Sequence, residues 1–270
     1  MNINRLNLTN RSQSGGGKIA SLTALSVSLI AGLVFSRYVA QADSPGVVHY
    51  PDLQPYPAYQ LSVKYDSSRS HRFLAFSTAI GNFGEGPVEL FPVNNEAAGT
   101  TDAYQRLYTH DASGSWYPVA TNFVGTFEFH AAHDHWHFNN FAAYELRNVG
   151  PNGSIGTTVL ASAQKVSFCL EDSWQETRLS FDHVASQTYV NCCQDCVQGI
   201  SVSWADVYPS YLEGQSLDIT GLPDGTYWLL ITVDPGDVIS EGGGVKSNNV
   251  SATKFQINKG SKTRILQYGQ

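Results

Sequence analysis

No stretch of the 270-residue sequence repeats another, and none carries apolar residues at helical spacing over a long run. A repeat array and a helical bundle are therefore excluded. Charge is scarce: charged residues are 14% of the chain, the formal net charge is −7, and there is no basic cluster. That argues against a nucleic-acid partner, which needs a concentrated cationic footprint. Met occurs once and Cys four times, against 24 glycines and 12% aromatics. Such a composition suits pleated strands joined by tight turns. The length suits one large domain or two small ones.

Acidic residues are missing altogether from residues 1–42, which carry the bases Arg5, Arg11, Lys18 and Arg37. An apolar stretch runs from Ile19 to Phe35, and Ala40-Gln41-Ala42 has the small-x-small pattern of a cleavage site. Residues 1–42 read as a secretory signal, with residues 43–270 as the exported domain. The alternative is an uncleaved N-terminal anchor, because the apolar stretch is near the lower limit for spanning a bilayer. Only then is membrane association expected.

Pro45, Pro51, Pro55 and Pro57 keep the chain extended from Asp43 to Tyr59. Apolar patterning predicts strands at 72–80, 88–91, 104–108, 116–119, 126–138, 141–146, 165–170, 226–233 and 251–257. Turns are expected at 81–87, at Asn139-Asn140, at 148–153, at 223–225 and at 234–237. A loop is expected at 94–102, a long irregular region from 170 to about 212, and a loose polar tail from Asn258. The expected fold class is all-β: a β-sandwich-like core with long irregular, disulfide-stapled loops.

All four cysteines, Cys169, Cys192, Cys193 and Cys196, flank or lie within the irregular region. In an exported chain an even number implies two disulfides, with three pairings open. A zinc knuckle is the competing reading of Cys192, Cys193 and Cys196, but Cys169 is distant and export disfavours thiolate ligands.

Four of the 8 histidines fall within His130-Ala-Ala-His-Asp-His-Trp-His137. Uncharged imidazole is a strong ligand for copper, zinc, nickel and iron. On a strand, His133, His135 and His137 share one face, but they would span roughly 13 Å. Either the backbone kinks, or two of them bind with a ligand from elsewhere, His130 included. The bulky flanks Phe127, Phe129, Trp136, Phe138 and Phe141 suit the apolar shell of a metal site better than a solvated strand.

Three segments then come together: the histidine run, Lys165-Val-Ser-Phe-Cys-Leu-Glu-Asp172, and Gln198-Gly-Ile-Ser followed by Tyr208 and Leu217-Asp-Ile-Thr220. With these, the chain resembles the catalytic domain of the lysyl oxidase family over roughly Asp52–Ile257, in the manner of a microbial-type member. The resemblance implies a secreted oxidoreductase that deaminates primary amines, peptidyl lysine or small amines, to aldehydes. O2 is the acceptor, and ammonia and hydrogen peroxide are released. It implies copper at His133, His135 and His137, and a self-derived lysine tyrosylquinone built from Lys165 and Tyr208. It also implies calcium at Asp52, Glu241, Asn248 and Asn249, whose oxygens suit that ion.

The sequence departs from the animal members. Trp204 and Gly214 stand where those carry Cys, and Ala143 stands where they carry a His. A base from that position is therefore lost, and Asp134, Asp172, Asp206 and His183 remain as candidates. Two rival readings are a cupin-like metal oxygenase using His133 and His135, and an exported, non-enzymatic copper-binding β-sandwich.

Overall fold

A computed structural model describes residues 46–176, 186–242 and 246–269. The expected leader, residues 1–42, and His183 lie outside the described residues. Among the described residues no helix is long and apolar enough to cross a membrane.

The strands are β1 (Leu53–Pro55), β2 (Tyr59–Tyr65), β3 (Arg72–Asn82), β4 (Val88–Asn95), β5 (Thr100–His110), β6 (Trp116–His130), β7 (His135–Val149) and β8 (Ile155–Phe168). They continue as β9 (Trp174–Gln175), β10 (Gln198–Ile200), β11 (Trp204–Tyr208), β12 (Ser216–Asp218), β13 (Gly225–Val233), β14 (Val250–Asn258) and β15 (Lys262–Gly269). The larger sheet runs β10-β4-β5-β6-β7-β13-β14-β15, with β8 also on β7. The smaller runs β1-β3-β11-β9, with β2 and β12 also on β3. All pairings are antiparallel.

The patterning explains the layers. β5 alternates between buried and half-buried positions along its whole length, as a strand with one face on a core does. β3 is buried at nearly every position, as a central strand covered on both faces must be. Between the sheets lie Phe76, Phe138, Phe141, Tyr144, Phe168 and Tyr208. Phe76 of the smaller sheet meets Tyr144 of the larger edge to face at 5.0 Å, a favourable arrangement of aromatic quadrupoles.

The all-β expectation holds, with four corrections of detail. The loop expected at 94–102 shrinks to a turn, because β4 runs to Asn95 and β5 starts at Thr100. Asn139-Asn140 is no turn. It lies inside β7, where Asn140 takes φ 61° and the register with β8 shifts between Phe138 and Ala142. An Asn at left-handed φ supplies a bulge at little strain. The tail expected to be loose forms β15 on β14, entered through Lys259 and Gly260, both at positive φ. Finally, 126–138 is two strands joined by a turn, so of the two alternatives for the histidine run the backbone kink is the one realised.

The irregular region is shorter than expected, since β9, β10 and β11 cross it, and it is held by two disulfides, Cys169–Cys192 and Cys193–Cys196. No free cysteine remains among the described residues for a zinc knuckle.

Candidate metal centre

The turn between β6 and β7 resolves the length problem of the histidine run. His130 ends β6 and pairs with His135, which begins β7. The amides of His133 and Asp134 both donate to the His130 carbonyl, at 3.0 and 2.9 Å, and Asp134 takes φ 58°. The chain folds back so tightly that His133, on the turn, faces His135 and His137 on β7. His133 Nδ1 lies 3.2 Å from His137 Nε2, and His135 Nε2 lies 2.9 Å from the same atom. Donors around an ion bound at roughly 2.0–2.1 Å stand about 2.8–3.4 Å apart. Both contacts to His137 Nε2 fall in that range.

His130 joins the group: one ligand atom each from His130, His133 and His137 lie within 4.8 Å of one another. Its ring, however, stacks on that of His137 at 4.7 Å with only 15° between planes. Imidazole lone pairs lie in the ring plane, so stacking disfavours His130 and His137 as joint ligands of one ion. His133 and His135 are inclined to His137 by 58° and 37°, and their planes can meet.

Electrostatics favour neutral imidazoles. Burial first, and then the neighbouring rings, push His137 down to about 3, and burial also lowers His133 and His135. His137 Nδ1 lies 3.1 Å from Ser167 Oγ, which leaves Nε2 for a metal and fixes the ring. His130 Nδ1 and His133 Nε2 are buried with no hydrogen-bond partner. Unpartnered buried nitrogens are costly, and a metal ion within the His130, His133 and His137 group would give them a partner.

Ser167 is on β8, as is Lys165, which falls between Ala163, opposite Tyr144, and Val166, opposite Ala142. The next two residues reach Tyr208. The rings of Phe168 and Tyr208 lie 4.1 Å apart. Tyr208 Oη accepts from the Cys169 amide at 2.6 Å and donates to its carbonyl at 3.1 Å. Burial, and then the Asp206 carboxyl, hold the Tyr208 phenol well above its ordinary value. Gln198 ties the same parts together. Its Oε1 accepts from the Leu170 amide at 3.1 Å, and its Nε2 donates to the Trp136 carbonyl, between two histidines, at 2.8 Å. Gly199 follows because a Cβ there would lie 2.4 Å from the Val88 carbonyl oxygen.

The candidate bases separate by environment. Asp172 accepts four bonds, from the Ser201 amide and hydroxyl and from the Thr188 and Tyr189 amides. Three of the four go to Oδ2 and one to Oδ1, which makes Asp172 a clamp between the 188–189 and 201 segments. Asp134 is exposed on the turn. Asp206 is fully buried; Ser173 donates to its Oδ1 at 3.2 Å while Oδ2 has no partner. Burial, and then Glu171, raise its carboxyl well above the usual range.

A cavity of about 450 Å³ opens beside His135, lined by Phe129, Asp134, Trp136, Asn191 and Cys193 among others. A larger one of about 970 Å³ meets β11 through Val207, with Pro209 just beyond the strand. Side chains alternate along a strand, so this cavity lies across the smaller sheet from Tyr208.

The four oxygen-bearing residues expected to hold calcium also come together. Asn248 Nδ2 donates to Asp52 at 2.8 Å, Asn249 Nδ2 donates to Glu241 at 2.8 Å, and Glu241 also accepts from the Leu53 amide at 2.6 Å. The amide oxygens of Asn248 and Asn249 are buried without partners.

The family model for lysyl oxidase matches residues 111–265, more than half of the chain. The chain belongs to the lysyl oxidase family. It is similar to the protein-lysine 6-oxidase of Gallus gallus, at 30% identity over 126 residues, which are 46% of this chain and 26% of that protein. Lysyl oxidase homolog 2 of Gallus gallus is 34% identical over 122 residues, 45% of this chain and 14% of that one. Lysyl oxidase homolog 1 of Homo sapiens is 31% identical over 117 residues, 43% and 18%. The matched span is less than a third of each of these relatives. Among the described residues the His130, His133 and His137 group can hold a metal ion. The two disulfides accord with an oxidising compartment.

Proposed function

We propose that this lysyl oxidase family member is a secreted, copper-dependent oxidase of primary amines, with copper on His133, His135 and His137 and a quinone built from Lys165 and Tyr208. The observation that carries the reading is the segment 165–169. It contains Lys165, contacts His137 through Ser167, and holds Tyr208 through Phe168 and Cys169. One short stretch thus serves metal, amine and phenol. The ring planes support His135 over His130 as the third ligand.

Copper held on His133, His135 and His137 would supply the redox chemistry with O2, and a quinone derived from Lys165 and Tyr208 would supply a carbonyl for primary amines. The protein's own groups do the rest. Ser167 orients His137, Gln198 fixes Trp136 against Leu170, and the Cys169 main chain orients the phenolic oxygen. Phe127 and Phe138 are buried next to the histidine turn, whereas Phe129 is exposed at the cavity beside His135. The fold contacts favour no particular substrate amine, and peptidyl lysine and small amines both stay within the proposal. Calcium on Asp52, Glu241, Asn248 and Asn249 would fix β1 against the 3-10 turn at Lys246–Asn249, because Glu241 also binds the Leu53 amide.

Peptide mass spectrometry of copper-matured, disulfide-reduced protein tests the reading. A peptide containing Lys165 joined covalently to one containing Tyr208 is expected. Fully active protein that yields both peptides separate and unmodified would refute the quinone.

A further inference from the structure

The disulfide Cys193–Cys196 holds no distant elements together, since it spans a sequence separation of 3. It differs from Cys169–Cys192, whose residues are both buried and which ties β8 to the loop across a separation of 23. Cys193 is exposed and Cys196 half-buried. Short loops gain little chain-entropy stabilisation from closure, and exposed disulfides are the reducible ones.

Its position is specific. Cys193 and Cys196 line the same cavity of about 450 Å³ as His135. The loop that carries them grips the histidine strand at one residue from both sides. The Trp136 amide donates to the Cys192 carbonyl at 2.8 Å, and the Trp136 carbonyl accepts from Gln198 at 2.8 Å. The sulfur pair thus shares one cavity with His135. Thiolates are soft ligands that select copper(I).

We propose that Cys193 and Cys196, in their dithiol form, are a copper(I)-binding site that loads the adjacent histidine centre through His135. The loading step rests on the proposed copper function, whereas the thiol site itself does not. Two small-molecule thiols give two electrons and two protons to the Cys193–Cys196 bond and leave as their own disulfide. The new thiols release their protons on binding copper(I), and the ion passes to the imidazoles without change of oxidation state. O2 then takes two electrons and two protons from the emptied thiols, forming hydrogen peroxide as the disulfide closes.

The test uses the full exported chain under anaerobic conditions. Dithiothreitol titration with alkylation and peptide mass analysis should open Cys193–Cys196 at a concentration at least tenfold below that needed for Cys169–Cys192. Opening of both together would overturn the proposal. Competition with a chromogenic copper(I) chelator should give the selectively reduced wild type one more copper(I) than the oxidised wild type. Equal uptake would overturn it, and this comparison needs no variant. Cys193→Ser should match the oxidised protein. On admitting O2 to reduced, copper-loaded wild type, X-ray absorption at the copper edge, which reads copper(I) and copper(II) alike, should show the metal in a nitrogen environment. In His135→Ala it should stay with sulfur, and copper that stays with sulfur in the wild type would overturn loading. If oxidised wild type binds no copper(II) at all, the proposed function and the loading step fall, while the thiol uptake measurement stands by itself.

Discussion

The Tyr208 phenolic oxygen lies 2.6 Å from the amide nitrogen of Cys169 and 3.1 Å from its carbonyl oxygen. One hydroxyl thus satisfies both main-chain groups of the residue that follows Phe168 and begins the disulfide-held region. Tyr208→Phe removes both bonds and leaves a buried amide without a partner. It should cost about 1–3 kcal/mol of stability, read by urea unfolding, while copper content stays unchanged. Copper loss in a folded Tyr208→Phe protein would mean that the phenol belongs to the ligand set.

His137 receives both nitrogen contacts at its Nε2 and is 2% exposed, so it is the hub of the candidate metal centre. His137→Ala should strip copper almost completely by elemental analysis. His130→Ala should retain most of it, because its ring stacks on His137 instead of aiming at the shared point. Ser167→Ala should weaken copper by roughly 10–100-fold, as loss of an orienting partner does. Equal damage from His130→Ala and His135→Ala would put His130 in the ligand set.

Asp172 gathers four donors from Thr188, Tyr189 and Ser201. Asp172→Ala strands them in the interior and should destabilise the protein by roughly 3 kcal/mol or more. If Asp172 served as the base instead, the variant would keep its melting temperature and lose only turnover.

Asp206 has a folded-state carboxyl raised by burial. Below the ordinary carboxylate range, folded and unfolded states both bind the proton and there is no penalty. As pH rises through that range the unfolded state ionises first. Stability then falls until the folded carboxyl also ionises, and the penalty is full above that point. Asp206→Asn should therefore raise the melting temperature at neutral pH, with the gain shrinking towards pH ~4. A gain that is constant with pH would show that the carboxyl does not carry the penalty.

The unpartnered amide oxygens of Asn248 and Asn249 beside Asp52 and Glu241 suit a hard cation. Calcium at a hundredfold excess over its dissociation constant should add about 2.7 kcal/mol, seen as a higher melting temperature than in chelated protein. Glu241→Gln should abolish that shift. Identical melting curves with calcium and with chelator would refute the site.

Much of the fold was legible in the chain. Thr226–Val233 and Ser251–Ile257 became β13 and β14 because dense β-branched and aromatic residues leave few other ways to bury their surface. The polar tail was not legible, because Lys262–Gly269 is a strand through its pairing with β14 and not through its own composition. The bulge at Asn140 was misread as a turn for a related reason. Asn suits positive φ in either setting, and only the neighbouring strand decides which one occurs.

At the candidate site the sequence by itself determined the chemistry: a dense set of imidazoles, a Lys and a Tyr in family order, and four cysteines. Three-dimensional packing decided which atoms meet. The turn at Ala131–Asp134 brings nitrogens within 3.2 Å that a flat strand would spread over roughly 13 Å. Ring inclination separates His130 from His135, and pairing of β7 with β8 brings Ser167 to His137. The choice between three disulfide pairings was made there too. Side-chain type is written residue by residue, whereas coordination, stacking and cross-linking depend on distances between residues far apart in the chain, and only the folded backbone fixes those.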